Sequence, residues 1–193
     1  MRGVRRDEVL DLVAYEKIRP AFLEKTIKLK QPRRIAVGDR LTFIFENRDT
    51  ALFQIQEMLR AERAVREEKI EDEISVYNEL VPKANELSAT LMIEIPETKR
   101  IRAELDRLIG IDEHVFLDVG GETVRATFDS KQFESDRISA VQYVRFPLGP
   151  SLAAKFSDRS VTVRLRVEHP NYAHVTEIRG DSRESLMADL ATT

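Results

Sequence analysis

The segment VGDRLTFIFENRDTALFQIQEMLRAER, from Val37 to Arg63, constrains this chain more than any other. Leu41, Phe43 and Phe45 alternate with Thr42, Ile44 and Glu46, the period-two pattern of a strand with one face in a core. A strand is therefore predicted over roughly Ile35–Phe45. Asn47-Arg48-Asp49-Thr50 then supplies a helix start, because Asn and Asp side chains accept hydrogen bonds from the orphan N–H groups of a first turn. The helix that follows is predicted from Thr50 to about Arg66, and it has no clean solvent face. At about 100° per residue, Leu52, Ile55, Met58 and Leu59 cluster on one side. Glu62 falls inside that arc, Gln56 and Arg63 fall on its edge, and Phe53 points elsewhere. A helix patterned this way is covered on more than one side.

Burying a charge is costly unless it is paired and hydrogen-bonded. Glu62 and Arg63 therefore need partners, and Arg48, Glu46 and Gln56 are within sequence reach. Three readings follow. The polar groups lock the helix against the sheet, or they line a pocket for a small anion or polar ligand, or they form an edge for a protein partner. On the second and third readings Arg48, Gln56, Glu62 and Arg63 are the candidate ligand- or partner-binding residues, and they should converge on one site.

Composition narrows the chemistry. The 193 residues fit one core with a small appendage, and 34% charged residues mark a globular, water-soluble protein. No run approaches the roughly 18 apolar residues of a membrane span. Asp7, Glu8 and Asp11 interrupt anything resembling a signal peptide, so a cytoplasmic location is expected. With no cysteine there is no disulfide, thiolate nucleophile, cysteine-held zinc or self-held iron–sulfur cluster. The net charge of −3 argues against a general nucleic-acid binder. Residues 1–34 nevertheless carry ten Lys/Arg against five Asp/Glu. A basic arm on an acidic body most simply docks on that body or on a sister subunit; an RNA- or DNA-contacting arm is the weaker reading.

The rest of the chain reads as α+β. Residues 1–34 form an N-terminal helical arm, two helical pieces divided at Pro20, and 35–193 a single domain. A second helix carries Ile70, Ile74, Tyr77 and Val81 at helical spacing, flanked by an acidic run that reads as a solvated face. Leu87, Ala89, Leu91, Ile93 and Ile95 alternate with polar residues, predicting a strand with one buried and one wet face. A short amphipathic helix over about Thr98–Ile109 ends at Gly110. Gly120-Gly121 marks a hairpin between His114–Val119 and Thr123–Phe128. A strand near Ile138–Phe146 and a helix after Pro150 come next. A second hairpin pairs Val161–Glu168 with Tyr172–Ile178, and Gly180-Asp181-Ser182 opens a final helix. Irregular alternation of strands and helices, with several strands joined by hairpins, predicts a mainly antiparallel sheet of about six or seven strands, with helices packed on one face.

Catalytic signatures are missing. No G-x-S-x-G context activates a serine, and the Gly pair has neither dinucleotide nor P-loop spacing. If Pro170-Asn171 is a two-residue loop, His169 opposes Tyr172 and Val167 opposes His174. His169 and His174 are then weak candidates for a metal site, since imidazole binds zinc, iron and copper. No cofactor is expected.

EKIRP at Glu16–Pro20, the Val37–Arg63 segment, ELSATLMIEI at Glu86–Ile95, GIDEHVFL at Gly110–Leu117 and RISAVQYVRFPL at Arg137–Leu148 together resemble a bacterial and archaeal family classed as a domain of unknown function. The resemblance covers nearly the whole chain, least distinctly its last thirty or so residues, and implies no activity. It implies a genomic context, beside a rubrerythrin and an iron–sulfur protein of the heterodisulfide-reductase type. A cysteine-free chain in such company is expected to be a non-catalytic accessory or partner protein of a redox or oxidative-stress system, bound to the iron–sulfur protein, to rubrerythrin or to its own copy. The alternative is a small-ligand- or metal-binding module, or an enzyme, with a polar pocket around the central helix.

Overall fold

The computed structural model describes residues 1–129, 133–134 and 137–191. The chain opens with an irregular segment holding one 3₁₀ turn at Arg6–Glu8. A single long helix follows, α1 (Leu12–Lys30), started by Asp11, which accepts the Ala14 N–H at 2.8 Å. Pro20 lies inside α1 and does not divide it. Proline removes one helical hydrogen bond. Here both Pro20 and Glu16, whose carbonyl loses its donor, are exposed, so water can replace it.

The strand expected over Ile35–Phe45 is a tight hairpin of β1 (Arg34–Val37) and β2 (Leu41–Glu46). Gly38 turns it with φ at 72°. After β2 come the helices α2 (Arg48–Ala61) and α3 (Glu67–Asn78), then β3 (Glu86–Ile93) and the short α4 (Ile101–Asp106). The strands β4 (Val115–Val119) and β5 (Glu122–Arg125) form the hairpin that the Gly pair predicted. Next are β6 (Thr127–Phe128), the small ribbon β7 (Phe133–Glu134) and β8 (Arg137–Ile138), and β9 (Val141–Pro147). The chain finishes with α5 (Gly149–Ser157), the hairpin β10 (Val163–His169) and β11 (Tyr172–Glu177), and α6 (Gly180–Ala191).

The α+β class and the antiparallel pairing agree with the sequence, but the strands divide between two sheets. One has five strands in the order β1-β2-β3-β9-β6, the other four in the order β11-β10-β4-β5. On one side the chain passes from β5 through Ala126 into β6, joining the sheets covalently. On the other, Thr176 Oγ1 donates to Ala36 O and Tyr172 Oη to Val37 O, both at 2.7 Å. The sheets thus enclose one core. Phe43, Phe45, Leu91 and Phe146 of the five-stranded sheet meet Leu117, Val163 and Leu165 of the other, with Phe156 of α5 and Leu186 of α6.

The outer face of the five-stranded sheet is polar but not wet. Glu46, Ser88 and Thr90 are all buried, which corrects the expectation that β3 has one solvated face. The reason is the helical layer above it. Val76, Glu79 and Leu80, in and just after α3, share a groove of about 400 Å³ with Thr127, Tyr143 and Arg145 of that face. A second, smaller apolar cluster binds this layer together: Val4 and Val9 of the opening segment, Ile55 and Leu59 of α2, Ile70 and Ile74 of α3.

Candidate docking surface

The central helix begins as the sequence indicated. Asn47 Oδ1 accepts the Thr50 N–H at 3.0 Å, and Thr50 Oγ1 accepts the Asn47 N–H at 2.9 Å, satisfying two orphan donors reciprocally. It ends earlier than expected, at Ala61. Arg63 takes a left-handed conformation (φ 52°). The Ala64 N–H then reaches Leu59 O at 2.9 Å and the Arg63 N–H reaches Arg60 O at 3.2 Å, a Schellman closure. The α2 helix is otherwise enclosed: Asp49 alone among its residues before Ala61 is exposed.

This early stop separates the four candidate residues, so the expected convergence does not occur. Glu62 and Arg63 lie beyond the helix and are exposed. Glu62 meets Lys69 at 3.2 Å. Gln56 is buried, and it binds main chain: Oε1 accepts the Leu10 N–H at 2.6 Å and Nε2 donates to Leu10 O at 3.2 Å. Arg48 pairs with Glu8. Both therefore serve the opening segment of the chain. The same segment is held by Asn78 of α3, whose Oδ1 accepts the Val4 N–H at 2.7 Å while Nδ2 donates to Val4 O at 2.9 Å. Arg6 reaches Glu67 with Nε at 2.5 Å and Nη2 at 3.0 Å. The Arg5 N–H first and Arg48 second hold the Glu8 carboxyl at about 2.

The α1 helix rests on α2 through a compact network. Tyr15 Oη donates to Glu57 Oε1 at 2.7 Å, and Arg19 grips both Glu57 oxygens at 2.7 and 2.8 Å. Arg19 first, with Tyr15 assisting, holds the Glu57 carboxyl below its ordinary range. Edge-to-face rings continue the contact from Tyr15 to Phe22 (6.0 Å) and Phe22 to Phe53 (5.7 Å). Yet of nineteen residues in α1 only Tyr15 and Thr26 are buried. Val13 is 68% exposed, Ile27 56% and Ile18 45%. Around them Lys17, Lys25 and Lys28 stand in solvent.

At its C-terminal end the arm is anchored by a residue that nothing in the sequence singled out. Arg33 is 1% exposed. Its Nε donates to Phe45 O at 2.7 Å, Nη1 to Ser185 Oγ at 3.0 Å and Nη2 to Glu46 O at 3.1 Å, and Nη2 also pairs with Asp189 of α6. Four donors thus tie the arm, the β2–α2 junction and the last helix together. Asp189 lies too far along the chain for spacing to have paired it with Arg33.

The histidine hairpin has the register read from sequence, His169 opposite Tyr172 and Val167 opposite His174. It does not bring His169 and His174 together as ligands. Asn171 N–H donates to His169 Nδ1 at 3.2 Å, so Nε2 carries the proton and donates to Ile109 O at 3.0 Å. Both ring nitrogens are engaged. The His174 ring lies tilted at 54° against Tyr172, centroids 4.5 Å apart, and closes over Gly38. Among the described residues no group of three His, Asp or Glu is placed to hold a metal ion. Nor, among them, is any helix long and apolar enough to cross a membrane.

A crystal structure of a protein of unknown function from Burkholderia pseudomallei superposes with a TM-score of 0.91 at 35% identity, over 98% of this chain and all of that one. No curated protein matches. The model of the family described as "Protein of unknown function (DUF3501)" matches residues 3–190. With a fold shared throughout and a family match over nearly its whole length, the chain belongs to the DUF3501 family.

Proposed function

We propose that this chain is a non-catalytic accessory protein that docks onto a partner through the outer face of α1. One observation carries the reading: a nineteen-residue helix, fixed firmly on its inner side, leaves Val13, Ile18 and Ile27 in water. At about 100° per residue Val13 and Ile27 share the outer side of α1, with Ile18 on its flank, and exposed apolar residues rimmed by charge mark protein contacts. Lys17 and Lys25, with Lys28 that also meets Glu24 at 2.6 Å, suit a partner with an acidic surface. Of the residues that could have formed a polar pocket around α2, Gln56 is spent on the chain's own opening segment and Arg48 pairs there with Glu8, although its Nε is buried without a partner among the described residues. The gene neighbourhood implied by the family resemblance supplies the partner class: an iron–sulfur protein or rubrerythrin of a redox or oxidative-stress system, in the cytoplasm.

The test is co-purification. Tagged full-length chain drawn from its native cells should retain the iron–sulfur protein or rubrerythrin, identified by mass spectrometry and metal content. The Val13→Glu/Ile27→Glu variant, whose thermal midpoint should be unchanged because both sites are exposed, should lose it. Retention of neither protein by the unaltered chain sinks the redox assignment, and equal retention by the variant sinks the α1 surface.

One observation favours a ligand site as the second reading. Glu46 Oε2 is buried with no hydrogen-bond partner among the described residues, and in the groove beneath α3 the Tyr143 hydroxyl is pushed above its ordinary pKa by burial first and by Glu46 second. A thermal shift with divalent cations or small polar ligands, abolished by Glu46→Gln, would support that reading over docking.

A further inference from the structure

The opening segment is bound in the way a peptide is bound by a receptor. Gln56 and Asn78 each use one side-chain amide to take both the N–H and the C=O of a single residue, Leu10 and Val4. An amide is suited to this because it offers a donor and an acceptor side by side. Val4, at one clamp, and Val9, beside the other, are sunk among α2 and α3, 3% and 5% exposed. Arg48 meets Glu8, and Glu67 meets Arg6. Gly3 passes so close that a Cβ would sit 3.0 Å from the Asn78 side chain. All of these contacts are made by side chains of α2 and α3 with an irregular segment that shares no sheet with them. Only the link through Asp11 into α1 makes the arrangement intramolecular.

We infer that the α2–α3 groove also accepts the Gly3–Leu10 segment of a second copy of this chain, giving a dimer by reciprocal exchange. The occupant follows from the match already present: two valines five positions apart, a guanidinium facing Glu67 and a carboxylate facing Arg48. A second copy offers the same groups in the same order. Cis and trans occupation then differ only at the link and in effective concentration. The exchange surface is separate from the outward face of α1, so this inference and the docking proposal can fail independently.

Two full-length variants test it. Val4→Asp/Val9→Asp spoils the segment and leaves the groove intact, whereas Gln56→Ala/Asn78→Ala spoils the groove and leaves the segment intact. Each alone should be monomeric by light scattering. Mixed, they should form a one-to-one heterodimer, the intact segment of one filling the intact groove of the other. Two folded variants that stay monomeric on mixing overturn the inference. Should either fail to fold, amide exchange on the unaltered chain decides. The Val4 and Leu10 amides must exchange at least tenfold faster than those of Ala89 and Leu91, because a segment that opens only when the whole chain unfolds cannot be traded.

Discussion

The space between the two sheets and the layer of helices outside them are held together by different means. The intersheet core is apolar and continuous, built from Phe43, Phe45, Leu117, Leu165 and their neighbours at essentially zero exposure. The helical layer has six buried apolar residues in its cluster and depends on side chains that grip main chain or opposite charge: Gln56, Asn78, Glu57, Arg48. Apolar burial resists salt and acid, whereas partly exposed ion pairs are screened and titrate. The lesson is that the enclosed sheets supply the scaffold and the helical layer supplies what can loosen, exchange or dock.

The contrast can be broken first at Arg33, which belongs to both regions. Arg33→Met leaves the Asp189 carboxylate buried beside carbonyls, with only the Asn47 amide, at 3.4 Å, to donate to it. It should cost about 3–5 kcal/mol in chemical denaturation, with helical and sheet signals lost together. Separate transitions would show that Arg33 does not couple the regions. Gly38→Ala comes next, because the left-handed turn and the Tyr172 and His174 side chains leave no room for a Cβ. A loss of about 1–3 kcal/mol is expected, reported by the denaturation midpoint and confined to the side where β1 meets β11. Asn78→Ala should cost about 1–2 kcal/mol. Its effect should appear as faster exchange at Val4 and the 3₁₀ turn, with the rates of β3 unchanged.

The smallest effect is that of pH. The Glu8 carboxyl is depressed from 4.5 to about 2, so its contribution is complete above pH 4.5 and disappears as pH falls through about 2. Acidification across that window should release the opening segment, followed by amide exchange or by a fluorophore on residue 3, before far-ultraviolet dichroism records any loss of sheet. Release that tracks global unfolding would contradict the separation of the two regions.

Much of this was legible in the sequence, and the exceptions share a cause. The β10–β11 register, the Gly120-Gly121 hairpin and the Asn47 cap rest on local rules of period and turn chemistry, and each was found where expected. Pro20 misled because the hydrogen bond it removes lies between exposed residues, where water can take its place, and the helix continues through it. The β1–β2 turn was missed because Gly38-Asp39-Arg40 interrupts a run whose alternation otherwise reads as continuous. Gln56 stood out correctly as a polar group on the edge of an apolar arc, but its partner, Leu10 main chain, has no signature. Glu62 and Arg63 were placed by extending the helix one turn too far. Arg33 with Asp189, and Asn78 with Val4, are long-range pairs, and no spacing rule links residues so far apart.

The docking claim is tested most directly by lysine reactivity. Full-length chain is labelled with an amine-specific acylating reagent, purified or while bound to the iron–sulfur protein or rubrerythrin captured with it. The account predicts that Lys17, Lys25 and Lys28 lose reactivity in the complex, while Lys83 and Lys155, remote from α1, keep theirs. Unchanged labelling of the three α1 lysines beside protection elsewhere would contradict it.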